Sequence, residues 1–353
     1  MHMRNKVVIF IDVVASKNKL QLSAIKEFGY EPNYFVTDIK PGSECYFEDA
    51  AQQQKLEKTF FKRLVQVFFF IKKNRKAIHH VELFPGGRFS FIYVILSKLF
   101  FLKTLCGERG DLLYYHQKGY SLPTRVSMWF CYKFSDMVWY RELYMKAKLE
   151  KIRTKGLFFL HNAIEQGADD RQPAVKKDID FLWLNRIIPE RKYKWVINIL
   201  KKAEFKHTYN YMVGLLPEST FVKDQKYVEQ NTPSNLTVKP YTDMPFSFYK
   251  RARFFILPAD VVFANHALLE AMSYGVVPLI SRQPGSDLIV DHKINGFIFE
   301  HTEESMQDSM HKAIALSSGE YESYSKNAYQ KIKNDFSGTK YIQKLRTLYS
   351  MLD

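Results

Sequence analysis

The stretch ANHALLEAMSYGVVPLIS, Ala264 to Ser281, sets a single carboxylate, Glu270, in an otherwise apolar helical run. Asn265 is a residue type whose side chain caps free N–H groups at a helix start, and Gly275 is the type that ends a helix. No Gly or Pro falls between them, so the spacing predicts a short helix whose first turn is His266, Ala267, Leu268 and Leu269. The open N–H groups and dipole of a helix start attract anions, phosphates above all. Glu270, about one turn further in, can accept hydrogen bonds from a diol such as a ribose while the helix start holds the attached phosphates. The same spacing also suits a glutamate facing solvent on an amphipathic helix, and this stretch alone leaves both readings open.

Such a helix needs a sheet to hold it. The runs RFFILP before it and VVPLIS after it have strand length and strand composition, and DFLWLN, YNYMVGL, NLTVKP and GFIFE repeat that pattern nearby. KYKWVINILKKAEF and FSFYKRA are the helices between them. The first half has the same alternation. KVVIFIDVV is a strand, KLQLSAIKEFGY a helix stopped by Gly29, EPNYFVTD a strand, residues 51–76 a basic helix and IHHVELF a strand. After Pro85–Gly87 a helix is expected over residues 89–105, then a strand DLLYYHQ ending near His116, then a helix and strand in SMWFCYKFSDMVWY. This order indicates parallel α/β architecture. With 353 residues the chain suits two domains of about 150 residues each. The polar stretch Gly167–Asp178 is the junction, which places an N-terminal domain at 1–165 and a C-terminal domain at 175–336, followed by a last helix, KYIQKLRTLYSML, within 337–353.

A composition of 46% hydrophobic and 25% charged residues is that of a globular protein. Cys45, Cys106 and Cys131 show no paired spacing, which suits a reducing cytoplasm and argues against disulfides or a zinc site. The N-terminal MHMRNKVVIFIDVV breaks at Asp12 and lacks a small-residue cleavage site, so it reads as a first strand, and no apolar run is long enough for a spanning helix. The net charge of +15 is uneven: residues 1–155 hold 27 Lys or Arg against 14 Asp or Glu, residues 156–353 hold 25 against 23. An anionic partner is therefore expected for the first half. Its segment LEKTFFKRLVQVFFFIKKNRK joins Phe and Leu to flanking cations, a composition that suits the surface of an anionic membrane, although core phenylalanines with solvated lysines have the same look. The expected location is cytoplasmic, peripheral on the inner face of the membrane. Nucleic acid is not expected, because the aromatic residues sit in apolar runs.

Phe254 to Glu300 resembles the donor-binding region of GT-B glycosyltransferases, glycosyltransferase family 4 (group 1) in particular. The residues that carry the likeness are Leu268-Leu269-Glu270-Ala271-Met272, Gly275, Pro278, Gly285, Ile289-Val290 and Asn295-Gly296. FLWLNRIIPERKYKWVINIL is similar to the family's GR-x-x-x-x-K-G segment, with Arg186 at the arginine and Arg191 at the lysine position. The resemblance implies an α/β fold of GT-B type, two Rossmann-like domains facing across a cleft, with the C-terminal helix returning to the first domain. It implies that Glu270 contacts the nucleotide ribose, and that Arg186 and Arg191, with Lys192 beside them, clamp the donor diphosphate together with the helix start at Asn265, His266 and Ala267. His116, at the place of the family's strand-end histidine, is the catalytic candidate that would touch donor sugar or acceptor. Three places depart from the pattern. Val262 stands where the family has a first glutamate, with Asp260 two residues away. Asn185 replaces a glycine. No glycine loop follows the first strand in Asp12–Lys19.

The implied activity is glycosyl transfer from a nucleotide-sugar donor to a saccharide or lipid-linked acceptor in surface polysaccharide or lipopolysaccharide synthesis. Retention of anomeric configuration is the family's course. No cofactor is expected, and no metal: no DxD, HExxH or Cys/His cluster occurs, and cations with a helix start can offset the leaving diphosphate's charge. Two alternatives remain at this stage. One is a nucleotide-sugar-binding protein whose catalysis is impaired by Val262. The other is an inverting enzyme using Asp12 or His116.

Overall fold

The computed structural model describes residues 4–14, 18–39, 52–110, 119–165, 176–215, 222–242, 244–262 and 265–353. The chain forms two compact units, Met1–His161 with Thr339–Asp353, and Asn162–Gly338.

In the first unit the order is β1 (Lys6–Ile11), α1 (Lys19–Glu27), β2 (Glu31–Val36), β3 (Gln53–Lys55), α2 (Phe60–Asn74), β4 (Ile78–Leu83), α3 (Phe91–Leu99), β5 (Lys103–Glu108), α4 (Leu122–Phe134), β6 (Met137–Tyr140), α5 (Lys146–Glu150) and β7 (Leu157–Phe159). The strands make one parallel sheet in the order β3-β2-β1-β4-β5-β6-β7. β1 and β4 are buried along almost their whole length, as central parallel strands covered on both faces must be.

The second unit runs β8 (Ile179–Leu184), α6 (Tyr193–Leu200), β9 (Asn210–Leu215), α7 (Val222–Asn231), β10 (Leu236–Pro240), α8 (Phe246–Arg251), β11 (Ala252–Leu257), α9 (His266–Ser273), β12 (Val277–Ser281), α10 (Ser286–Ile289), β13 (Phe297–Phe299), α11 (Glu303–Ile314) and α12 (Ser318–Asp335). Its parallel sheet has the order β10-β9-β8-β11-β12-β13. Helix starts follow the capping chemistry of their sequences: the Thr302 side chain accepts from Ser305, and Ser317 with Glu320 forms a capping box before α12.

The final helix, α13 (Gly338–Ser350), packs on the first sheet. Leu345, Leu348 and Tyr349 share a core with Val7, Ile9 and Leu105, opposite the face that buries Val67, Ile92 and Met128. The Tyr349 hydroxyl donates to buried Glu82 on β4 (3.0 Å), which also accepts from Gln21 (2.8 Å) and Trp139 (2.9 Å). A buried carboxyl is tolerated where such donors surround it, and burial pushes its pKa up.

Two expected boundaries differ. The helix expected over residues 51–76 begins only at Phe60; Gln53–Lys55 instead adds β3 to the sheet edge beside β2. The helix expected over 89–105 ends at Leu99, because Phe101 takes left-handed backbone (φ 57°) and Lys103 starts β5. β3 lies in a glutamine-rich stretch where alternation is weak and pairing with β2 decides, whereas β5 continues an apolar run whose periodicity alone does not tell helix from strand.

Candidate functional site

In the second sheet the strand order reverses between β8 and β11, which lie side by side. Open parallel sheets place ligands beyond the carboxyl ends of the strands at such a switch. Two loops leave the sheet there, and they are tied together. The Asp260 amide donates to the Glu190 carbonyl (3.0 Å), and Arg191 Nη1 donates to the Val261 carbonyl (3.2 Å). Lys192 Nζ pairs with Asp260 Oδ1 (2.8 Å), and His301 Nε2 meets the same oxygen (2.9 Å). Lys192 holds left-handed backbone (φ 44°) at the place of the glycine in the GR-x-x-x-x-K-G pattern, a conformation that costs about 1 kcal/mol with a Cβ.

Next along the second sheet, β9 passes against the end of β8. A Cβ on Gly214 would lie 1.8 Å from the Asn185 carbonyl oxygen, so only glycine fits there. Arg186 follows Asn185 directly. Its side chain is exposed, and among the described residues its guanidinium has no partner.

The helix α9 begins as its sequence requires. The Asn265 side chain accepts from the Leu268 amide (3.2 Å), and its carbonyl accepts from Leu269 (3.0 Å). The Ala267 amide has no acceptor among the described residues. Leu268, Leu269, Ala271 and Met272 are buried, whereas His266, Ala267 and Glu270 are half-buried. Residues three and four apart share a helix face, so Glu270 stands on the same side as the two residues of the helix start.

Glu270 is not a solvated surface carboxylate. The Tyr249 hydroxyl from α8 donates to its Oε2 (3.1 Å). Burial pushes its pKa up, and the tyrosine bond pulls against that rise. Tyr249 is itself buried. Its backbone carbonyl, with that of Tyr274, accepts from Lys177 Nζ (3.3 and 3.2 Å), so one lysine joins the carboxyl ends of α8 and α9.

The structure thus brings Arg191 and Lys192 against the loop that leads to α9, and sets Asn265, His266, Ala267 and Glu270 on that one helix. Arg186 lies on the β8 loop beside Gly214. His116 lies outside the described residues. Val262 is fully buried in the core with Leu268 and Leu269, so the place of the family's first glutamate carries no polar group. Asp260 is engaged by Lys192 and His301. Tyr249, Lys177 and His301 were not singled out from the sequence. Tyr249 lies 21 residues before Glu270, and no periodicity links residues on separate helices. Among the described residues no group of three or more His, Cys, Asp or Glu can hold a metal ion.

Residues 166–331 match the family model described as glycosyl transferases group 1. That segment is similar to group 1 glycosyl transferases. The parallel sheets of the two units belong to the GT-B fold of such transferases, and solved structures share it. Sucrose-phosphate synthase from Thermosynechococcus elongatus is 14% identical with a TM-score of 0.77, covering 99% of this chain and 99% of that one. Anabaena HepE in complex with UDP and glucose is 11% identical with a TM-score of 0.78, over 98% of this chain and 99% of that one. Lipopolysaccharide outer core galactosyltransferase WaaB is 13% identical with a TM-score of 0.71, over 98% and 99%. At these identities the likeness is one of fold. No curated protein matches the sequence. The matched segment contains every site residue named above except His116.

Proposed function

We propose that the transferase domain binds a nucleotide-sugar at the carboxyl ends of β8 and β11. Arg186, Arg191 and Lys192 offset the charge of the donor diphosphate, the start of α9 at Asn265, His266 and Ala267 supplies amide dipoles, and Glu270 accepts from the ribose hydroxyls. The observation that carries this reading is the pinning of the two loops at the switch point, Arg191 to the Val261 carbonyl and Lys192 to Asp260. It holds two cations against the loop that leads to α9, which supports a diphosphate site there. HepE, which shares the fold, holds UDP and glucose.

The reaction proposed is transfer of the sugar to a saccharide or lipid-linked acceptor in surface polysaccharide or lipopolysaccharide synthesis, with retention and without a metal. The galactosyltransferase WaaB, a lipopolysaccharide enzyme of the same fold, supports that acceptor class. As the diphosphate leaves, Arg191 and the α9 amides stabilise its growing charge, a role that preorganised donors fill at little reorganisation cost. His116 is retained as the candidate for contact with sugar or acceptor.

Thermal unfolding with UDP-, GDP- and ADP-sugars tests the reading. A donor at a hundred times its Kd stabilises the native state by about 2.7 kcal/mol. The expected result is a rise with one nucleotide class that Glu270→Gln diminishes; no rise with any of them sinks the proposal. A second reading, a nucleotide-sugar-binding protein without transfer, is favoured by the buried Val262. Donor binding with no sugar moved to any lipid-linked or saccharide acceptor would select it.

A further inference from the structure

In the first unit, α3 packs between α2 and α4, and the rings of Phe60, Phe91 and Phe130 form a row across the three helices (6.4 and 6.2 Å between centroids). Their inner faces bury Val67, Ile92 and Met128 against the sheet. Their outer faces are apolar too. Phe61, Val65 and Phe69 recur every four residues on α2, Ile95 and Leu99 do so on α3, and Trp129 stands on α4; all are exposed, Phe61 by 75% and Phe69 by 60%. Phe101, in the turn after α3, is 90% exposed. A set of adjacent exposed apolar stripes marks an interaction surface.

Charge says what the surface meets. The three helices, of 15, 9 and 13 residues, contain seven Lys or Arg and no Asp or Glu. At the carboxyl end of α2, Lys72, Lys73, Arg75 and Lys76 line a recess of about 660 Å³ with Asn5 and no carboxylate. Four cations sharing one recess repel each other unless an anion enters. A second copy of the chain is a poor occupant, because a two-fold contact would press this basic face against itself. An anionic lipid surface supplies both an apolar boundary and phosphates. Among the described residues no helix is long and apolar enough to cross a membrane.

We propose that the α2–α3–α4 face docks on an anionic phospholipid bilayer, with the apolar stripes entering the acyl boundary and the recess at the end of α2 taking lipid phosphates. The inference concerns the first unit and stands apart from the donor reading.

Flotation of the full chain tests it, using vesicles of phosphatidylcholine alone or with phosphatidylglycerol, at low and high salt. The chain is expected to float with phosphatidylglycerol vesicles at low salt, to be released by high salt, and to bind neutral vesicles weakly. Phe61→Ser with Phe69→Ser, and separately Lys72→Glu with Lys73→Glu, should each weaken binding by about tenfold or more. Lys201→Glu with Lys202→Glu, in the second unit, should bind as the parent does. No flotation with anionic vesicles at low salt overturns the proposal, and so does parental binding by both first-unit variants. A concentration-dependent dimer lost in the Phe61/Phe69 variant would assign the face to a second copy instead. Donor-induced thermal shifts, measured on every variant, report the second unit separately, so failure of one reading is told from failure of the other.

Discussion

The Tyr249 hydroxyl donates to the Glu270 carboxylate across 3.1 Å and ties α8 to α9. The bond opposes the upward push of burial on the Glu270 pKa. Tyr249→Phe removes that opposition, so Glu270 holds its proton to a higher pH. The carboxylate accepts from the ribose hydroxyls with both oxygens and a full charge, whereas protonation turns one oxygen into a donor. Donor affinity is therefore lost as pH falls through the Glu270 pKa, and that loss is expected at higher pH in the variant. At neutral pH one missing hydrogen bond should weaken the donor about fivefold. Calorimetric titrations across the mildly acidic range measure both effects. An unchanged pH profile would remove Glu270 from the ribose.

Arg191 and Arg186 are expected to fail differently. Arg191 anchors the loop after β11 and is the proposed partner of the diphosphate, so Arg191→Ala should reduce kcat/KM by well over tenfold, with some loss of stability. Arg186 is exposed, and Arg186→Ala should leave unfolding within about 0.5 kcal/mol of the parent while raising the donor KM. Steady-state kinetics beside urea unfolding separates the two. Parental kinetics in both variants would be incompatible with a diphosphate clamp.

Lys177 gives the second unit a pH signature. Burial pushes its pKa down to about 8. In the unfolded chain a lysine titrates near about 10.4. Between those values the unfolded chain keeps a proton that the folded chain has released, so this residue's contribution to stability rises with pH over that window. Urea unfolding at several alkaline pH values should show the rise, and Lys177→Met should flatten it. An equal slope in both proteins would mean that the ammonium keeps its proton between the Tyr249 and Tyr274 carbonyls.

At Gly214 a methyl group is too much. A Cβ 1.8 Å from the Asn185 oxygen must force β9 away from the end of β8. Gly214→Ala should cost about 1–3 kcal/mol, seen as a lower Tm. Because Asn185 precedes Arg186, donor affinity should fall with it. A Tm equal to the parent's would mean that the two strand ends lie further apart.

Helix α9 and its flanking strands were legible because their signals are local. Asn265 can cap only its own next turn, and the apolar runs RFFILP and VVPLIS fit only buried strands. The alternation of strands and helices likewise yielded the parallel α/β class, whereas the GT-B resemblance rested on motif residues such as Leu268–Met272, Gly275 and Asn295-Gly296. The short strand β3 was hidden in a polar segment, since its pairing with β2 is what makes it a strand. The partners of the site residues were hidden for a related reason. Asp260 reads as a carboxylate two residues from the wanted place, and its engagement by Lys192 and His301 joins three loops that are distant along the chain.

By itself the sequence determined the central strands and helices of both units though not β3 or the start of β5, where α9 starts and stops, and that one glutamate sits on it. Periodicity, caps and breakers act within a few residues, so a linear reading captures them. Tertiary structure decided that Glu270 faces Tyr249, that Arg191 reaches the Val261 carbonyl, and that Phe61 and Phe69 stay exposed while Val67 on the same helix is buried. Those outcomes depend on which elements pack side by side, and that follows from burial of the whole chain, which no local stretch contains.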